Sequence, residues 1–212
     1  MRVRWKRSAA TLVVVALTGV LTRGFWVSQI ARSLVCAEHL APSDVILVEN
    51  FNPNFLLFER AEALERAGLA RRTLVPVEAS RDPNVANPVS RGIAELMARQ
   101  ARLADWEIVL VGETEPISLN AAIQIRDRLV ADHVRSLIIV TPGFRSRRSS
   151  LVYQAVLGDV DTQVQCVPVF GRTTPERWAE TWHGTQEVVE EFLKLQSYRF
   201  YVLPFISRSV RP

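Results

Sequence analysis

Five short apolar runs, rich in Val, Ile and Leu, alternate along the chain with longer segments of helical periodicity. Such alternation is typical of right-handed β-α-β units, in which parallel strands form one sheet and helices cover its two faces. The pattern predicts strands over 44–48, 73–77, 107–111, 137–141 and 164–170, and helices over 55–67, 89–103, 117–132 and 175–195, with a further helix from the fourth strand to about 157. We expect an α/β domain with a three-layer, doubly wound (Rossmann-like), mostly parallel sheet of about five strands.

Two residues refine the pattern. Gly68 follows the first helix and is expected to end it, because glycine readily adopts the backbone conformation that closes a helix. Pro76 lies inside the second strand and has no N–H to donate, which favours a position at the edge of the sheet for that strand.

The N-terminus carries four basic residues and then an apolar run over 8–22, which Arg23 interrupts before it resumes at 25–27. Its uninterrupted core is shorter than the roughly 20 apolar residues of a typical membrane span, and no clear signal-peptidase site follows it. We expect a membrane helix, a signal anchor over 8–27, with a cleaved signal and a buried globular helix as the alternatives. The excess of basic residues before the run predicts a cytoplasmic N-terminus and an extracytoplasmic domain.

The predicted organisation is an anchor and linker over 1–36, an α/β domain over 37–200 and a tail over 201–212. An aromatic, apolar stretch over 192–206 either packs on the domain or lies at the membrane interface. The net charge is +4, and much of the basic excess lies at the two termini. No basic stripe with interleaved aromatic residues runs through the domain, so nucleic acid is not an expected partner.

The two cysteines, Cys36 and Cys166, allow two interpretations. An oxidising compartment would permit them to pair. The alternating pattern around Cys166 instead favours a small, buried apolar side chain. Neither cysteine has a C-x-x-C partner, the three histidines are scattered, and the chain has no glycine-rich phosphate loop, so we expect neither a metal site nor a nucleotide cofactor.

Three arginines, Arg145, Arg147 and Arg148, directly follow the fourth strand, after Pro142 and Gly143. The first turn of a helix has free N–H groups and the positive end of the helix dipole, both of which favour an anion. Guanidinium groups at that position oppose the dipole, and a negative partner would offset their repulsion. The sequence therefore predicts an anion-binding site at the end of this strand.

Other polar side chains follow the remaining strands, where ligands of doubly wound sheets bind. Glu113 and Glu115 allow two roles: a salt-bridge network with the arginines, which we favour, or acid-base chemistry beside an anion clamp. A Ser-His-acid triad from Ser118 or Ser146, His183 and one of the two glutamates is a further arrangement, although no G-x-S-x-G motif is present.

The residues over 44–195 also resemble the YdcF/SanA/ElyC-like family, also called domain of unknown function 218. The resemblance is carried by the segments 59–64, 115–120 and, best, 140–148, where Arg145 occupies the position of the family's histidine. It implies that Arg148 corresponds to the family's arginine and that Arg60 is a second residue shared with the family's pattern. It further implies an uncharacterised protein of the bacterial envelope, at the inner membrane.

Our leading hypothesis is a single-pass membrane protein whose outward domain binds an anionic small molecule or a lipid-linked envelope precursor. A hydrolase or transferase acting on a phosphorylated precursor and a non-catalytic scaffold for envelope assembly remain alternatives. The predicted ligand-binding residues are Arg145, Arg148, Arg147, Ser146, Arg60 and Asn50, and the catalytic candidates are Glu113, Glu115 and Ser118.

Overall fold

A computed structural model describes residues 18, 19 and 22–205. Within them the chain forms a five-stranded parallel sheet of order β3-β2-β1-β4-β5 with helices on both faces, as the sequence predicts. The elements are α1 (Arg23–Arg32), β1 (Val45–Val48), α2 (Phe55–Arg66), β2 (Arg72–Glu78), α3 (Pro88–Ala101), β3 (Trp106–Val111), α4 (Ile117–Ala131), β4 (Ser136–Pro142), α5 (Ser146–Leu157), β5 (Gln163–Val169) and α6 (Trp182–Ser197).

The alternating side chains of β1 divide the core into two layers. Val45 and Leu47 face α4 and α5, whereas Ile46 and Val48 face α2 and α3. All four β1 side chains are buried, two in each layer. Strand β1 lies at the centre of the sheet with β4 beside it, so the loops that follow these two strands open on opposite sides of one crevice.

Local signals set the helix ends. The Asn54 side chain caps α2 by accepting from Leu56 N–H, and Gly68 follows the helix with a φ of +72°, as predicted for its stop. Asn87 caps α3 in the same way, accepting from Val89 N–H over 3.0 Å. The starts of α2 and α3 are thus each set by an asparagine cap.

The edge position predicted for the second strand is wrong, because β2 lies between β1 and β3. The register shows why a proline is tolerated there. β1 pairs with β2 only as far as Leu74, and beyond that point β2 pairs with β3 alone, with Pro76 opposite Val109. The proline therefore removes no donor from the ladder between β1 and β2.

The last helix also begins later than predicted. A turn of 3-10 helix spans Trp178–Glu180, and α6 starts at Trp182, where the Thr181 hydroxyl accepts from Gly184 N–H. After β4 a second 3-10 turn, Gly143–Arg145, precedes α5. After α6 the chain continues as a π-helical turn, Tyr198–Val202, and Val202 and Leu203 pack on the core.

The two cysteines form a disulfide between Cys36 and Cys166. Cys166 is buried as expected, but it is bonded rather than a free apolar side chain. The disulfide holds the segment that leaves α1 against β5. In the same region Cys36 N–H donates to the Ser146 hydroxyl over 3.0 Å, and Arg147 N–H donates to the Leu34 carbonyl over 2.9 Å.

Most of the anchor predicted over 8–27 lies outside the described residues, as does the tail from residue 206. None of the helices in the described part of the chain has the length and apolar character needed to span a membrane. The described end of the predicted anchor contacts the domain, because the Trp178 indole donates to the Val27 carbonyl over 2.9 Å.

Candidate functional site

A cleft of about 490 Å³ opens at the carboxyl edge of the sheet, in the crevice beyond β1 and β4. Its floor is formed by the ends of β2 and β3, and its walls by the loops after β1 and β3 together with α5 and α6. The predicted site residues that line it are Asn50, Glu113, Glu115, Ser118, Arg145 and Arg148. The structure therefore brings together six of the nine residues proposed from sequence.

The other three lie elsewhere. Arg60, on α2, donates to Glu38 over 2.7 Å and does not line the cleft. Ser146 is buried beside the disulfide, where it accepts from Cys36 N–H and donates to the Gly143 carbonyl over 2.6 Å. Arg147 is exposed on α5, one residue beyond Ser146 and outside the cleft. Helical geometry explains this, because side chains adjacent in sequence point about 100° apart around the helix axis.

Arg148 is neutralised by a glutamate that the sequence analysis missed. Its Nη2 and Nε donate to Glu191 Oε2 over 2.8 and 3.2 Å, and Nη2 also approaches Oε1 at 3.2 Å. The remaining Nη1 donates to the Ser118 hydroxyl over 2.8 Å. The salt-bridge network expected around the arginines thus forms with Glu191 of α6, not with Glu113 or Glu115. No local signal marks Glu191, which lies 43 residues from Arg148.

The Arg145 guanidinium makes fewer hydrogen bonds to the described residues than that of Arg148. Its side chain is 12% exposed, its Nε lies 3.7 Å from Glu191 Oε1, and no hydrogen-bond acceptor among the described residues reaches that Nε. With the Asn52 amide oriented so that its oxygen faces the arginine, that oxygen accepts from Arg145 Nη2 over 3.1 Å. Because Glu191 makes its hydrogen bonds to Arg148, the charge of Arg145, which also lines the cleft, is only weakly neutralised.

A second cavity of about 410 Å³ lies on the other side of Arg145. It is lined by α6 residues that include Glu187 and Glu190. Burial raises the pKa of Glu187, and the negative charge of Glu191 adds to the effect. A hydrogen bond from Lys194, 2.5 Å long, lowers the pKa of Glu190.

The Ser-His-acid triad is not assembled. His183 lines the second cavity, whereas Ser118 lines the first and accepts a hydrogen bond from Arg148. Ser146, the other proposed nucleophile, is occupied by the backbone contacts described above. In the part of the chain that is described, no three His, Cys, Asp or Glu side chains are close enough to hold a metal ion.

A buried polar cluster lies behind the cleft and links β1, β4 and α5. The Glu49 carboxylate accepts from the hydroxyls of Thr141 and Ser149, the latter over 2.6 Å, and all three residues are buried. Burial raises the pKa of Tyr153 well above its ordinary value, and the charge of Glu49 adds to it. Glu49 precedes Asn50, so this cluster fixes the start of the loop that forms one wall of the cleft.

No family model matches the sequence, and no curated protein matches it. One similar solved structure is a crystal structure of the aureusimine biosynthetic cluster reductase domain, with 9% identity and a TM-score of 0.36. The match covers 74% of this chain and 57% of that chain, so the protein spans little more than half the length of that domain. At this identity and TM-score the likeness says nothing about activity.

Proposed function

We propose that the protein binds a small molecule bearing an anionic group in the cleft, and that Arg145 holds the anion. The observation that carries this proposal is the unequal satisfaction of the two arginines. Glu191 makes its hydrogen bonds to Arg148 and only approaches Arg145, with its Oε1 3.7 Å from the buried Nε, so the charge of Arg145 is the less fully neutralised of the two. A guanidinium in a partly enclosed, low-dielectric site forms strong, geometrically specific hydrogen bonds to phosphate or carboxylate oxygens.

Arg148 then has a positioning role. Its charge is balanced by Glu191, so it adds little net positive potential to the cleft. It holds Glu191 away from Arg145 Nε and holds the Ser118 hydroxyl at the start of α4. Arg145 remains the candidate for direct contact with the anion, while Arg147 and Arg60 have no part in the site.

We further propose that the domain is extracytoplasmic, tethered to the membrane by the segment over 8–27, and that its ligand belongs to the cell envelope. The disulfide between Cys36 and Cys166 supports an oxidising compartment, because such bonds rarely persist in a reducing cytosol. The basic residues that precede the apolar run support the orientation. Membership of the YdcF/SanA/ElyC-like family is part of this proposal.

The binding proposal is tested with matched arginine variants of the full-length protein. Isothermal titration calorimetry would measure the affinity for glycerol 3-phosphate of the wild type, Arg145→Gln and Arg147→Gln. Because Arg145→Gln loses a charge-assisted hydrogen bond, we expect its affinity to fall by roughly tenfold or more. The affinity of Arg147→Gln should not change. Absence of binding to the wild type, or equal losses in the two variants, would contradict the proposal.

The location is tested separately. Cells are lysed in the presence of a thiol-alkylating reagent, and the protein is followed through membrane fractionation. We expect it in the membrane fraction, with both cysteines protected from alkylation until a reductant is added. Alkylation of both thiols before reduction would argue against the outward orientation.

A further inference from the structure

The two cavities at the end of the sheet share one boundary. Four residues line both of them: Asn52, Pro53, Arg145 and Lys194. Two of these are cations, and a third is an amide whose oxygen pairs with Arg145. The cavities, of about 490 and 410 Å³, therefore adjoin, and we treat them as two compartments of one groove, with Arg145 and the Glu190-paired Lys194 at their junction.

The carboxylates lie on either side of that junction. Each glutamate among the described lining residues borders one compartment only: Glu78, Glu113 and Glu115 the first, and Glu187, Glu190 and Glu191 the second. Along the groove the charge thus runs negative, positive, negative. A carboxylate accepts hydrogen bonds and repels anions, so each outer compartment suits groups that donate, such as hydroxyls, and disfavours a second anionic group.

A phosphate monoester fits this pattern poorly. It carries a substituent on one side only, so with its anion at Arg145 it would leave one compartment to solvent. A phosphodiester places a single negative charge between two substituents. Each compartment lies within the usual volume of a small-molecule site, so each has room for one substituent.

We infer that the ligand is a phosphodiester with a hydroxyl-bearing group on each side, its phosphate at Arg145 and one substituent in each compartment. The inference rests on the proposed function, because it takes Arg145 as the residue that holds the anion. It adds that recognition depends on both compartments. Carboxylates other than the ion-paired Glu190 and Glu191, such as Glu113 and Glu187, accept hydrogen bonds from the hydroxyls. Arg145 at the junction supplies the positive charge that the phosphate requires.

The test compares three defined probes on the full-length protein by calorimetry: glycerol 3-phosphate, diethyl phosphate and glycerophosphoglycerol. The last is a phosphodiester with hydroxyls on both sides. We expect it to bind about tenfold more tightly than either of the others, since each of them lacks the hydroxyl contacts of at least one compartment.

Two glutamine variants locate the extra affinity. Gln186 lines the second compartment, and Gln186→Trp would fill part of it. Gln100, exposed on α3 and lining neither compartment, provides the matched control Gln100→Trp. We expect Gln186→Trp to reduce glycerophosphoglycerol affinity to that of glycerol 3-phosphate without changing the latter, and Gln100→Trp to change neither.

The outcomes separate the inference from the proposed function. If glycerol 3-phosphate and glycerophosphoglycerol bind equally well, the inference is overturned and the anion site stands. If diethyl phosphate matches glycerophosphoglycerol, the assignment of hydroxyl groups to the outer compartments is overturned. If none of the probes binds, the anion site itself fails, and the inference fails with it.

Discussion

Arg148 on α5 and Glu191 on α6 form a buried ion pair, in which Nη2 of the arginine donates to both carboxylate oxygens of the glutamate and Nε also donates to Oε2. Their side chains are 4% and 9% exposed, and the guanidinium carbon lies 5.3 Å from the centre of the Tyr198 ring. The pair and the ring tie α6 and the turn after it to α5. Because α6 lines both compartments of the groove, this one pair sets the position of a wall that each compartment uses.

The first prediction concerns removal of Glu191. In Glu191→Ala the buried Arg148 charge loses its partner, and an uncompensated buried charge typically lowers the free energy of unfolding by about 3–5 kcal/mol. Urea denaturation of the wild type and the variant measures the difference. Replacing both partners with apolar residues, as in Arg148→Met with Glu191→Leu, is expected to recover much of the loss.

A matched glutamate one position earlier provides the control. Glu190 pairs with Lys194, but both side chains are about half exposed, so Glu190→Ala should lower stability by less than about 1 kcal/mol. Equal losses for Glu190→Ala and Glu191→Ala would show that burial of the Arg148 pair does not determine its energetic role.

The disulfide yields a second prediction. Cys36 and Cys166 are separated by 130 residues, and a cross-link across so long a loop restricts the unfolded chain strongly. Reduction is expected to lower the free energy of unfolding by about 2–4 kcal/mol. The double variant Cys36→Ser with Cys166→Ser should show the same loss and no further response to reductant. A wild type whose unfolding is unchanged by reductant would contradict this.

The architecture was accessible from sequence because its determinants are local. Strands rich in β-branched residues, helical periodicity and the stop at Gly68 are read over windows of a few residues, and the observed elements follow them closely. The two exceptions depend on more than the local sequence pattern. Pro76 is tolerated in an internal strand only because β1 ends before it, and the start of α6 depends on a cap at Thr181 that competes with several other polar residues.

The candidate site was accessible only in part. The rule that ligands bind beyond the carboxyl ends of parallel strands correctly grouped Arg145, Arg148 and Ser118 in one cleft. The choice among Arg145, Arg147 and Arg148 depends on which helix packs against each, and that is a tertiary property. Glu191 and the disulfide partner Cys36 both come from distant segments, and no periodicity or motif links them to their partners.

A third prediction distinguishes two hydroxyls of the buried cluster. Ser149 donates to Glu49 over 2.6 Å, so Ser149→Ala removes a hydrogen bond from a buried carboxylate and should lower stability by about 1–3 kcal/mol. The Tyr153 hydroxyl is buried and has no partner in the described part of the chain, so Tyr153→Phe should be neutral or stabilising. Each variant removes one oxygen. If urea denaturation showed a larger loss of stability for Tyr153→Phe than for Ser149→Ala, the view that only the Ser149 hydroxyl has a stabilising partner would be wrong.

The fourth prediction is a pH dependence at Asp44, which links the starts of β1 and β4. The backbone N–H of Arg135 lowers the pKa of this carboxyl below 3.8, and the N–H and hydroxyl of Ser136 contribute as well. A lowered folded-state pKa contributes stability that is present above the unfolded value and is lost as the pH falls through the folded value. Asp44→Asn should therefore be less stable at pH 7, by about 1 kcal/mol for an exposed group.

Denaturant unfolding of wild type and Asp44→Asn between pH 7 and pH 2 checks the sign. The difference should be constant above pH 5 and should shrink below about pH 3.8, as the wild-type carboxyl is protonated. A difference that grows as the pH falls would mean that the protonated form of Asp44, not its carboxylate, stabilises the fold.

The last prediction uses two glycines in helices, Gly184 in α6 and Gly92 in α3. A Cβ at Gly184 would lie 2.3 Å from the Trp178 carbonyl oxygen, a backbone atom that cannot rotate away, and 2.9 Å from Thr173 Cγ2. Gly184→Ala should therefore displace the start of α6 from the 3-10 turn and lower stability by about 1–3 kcal/mol. At Gly92 a Cβ meets nothing within 4 Å, so Gly92→Ala should raise stability by about 0.5–1 kcal/mol through the helix propensity of alanine. The same substitution is thus expected to change the free energy of unfolding in opposite directions at the two sites, and urea denaturation measures both changes. Destabilisation by Gly92→Ala as large as that by Gly184→Ala would show that the close approach of α6 to Trp178 is not what requires a glycine.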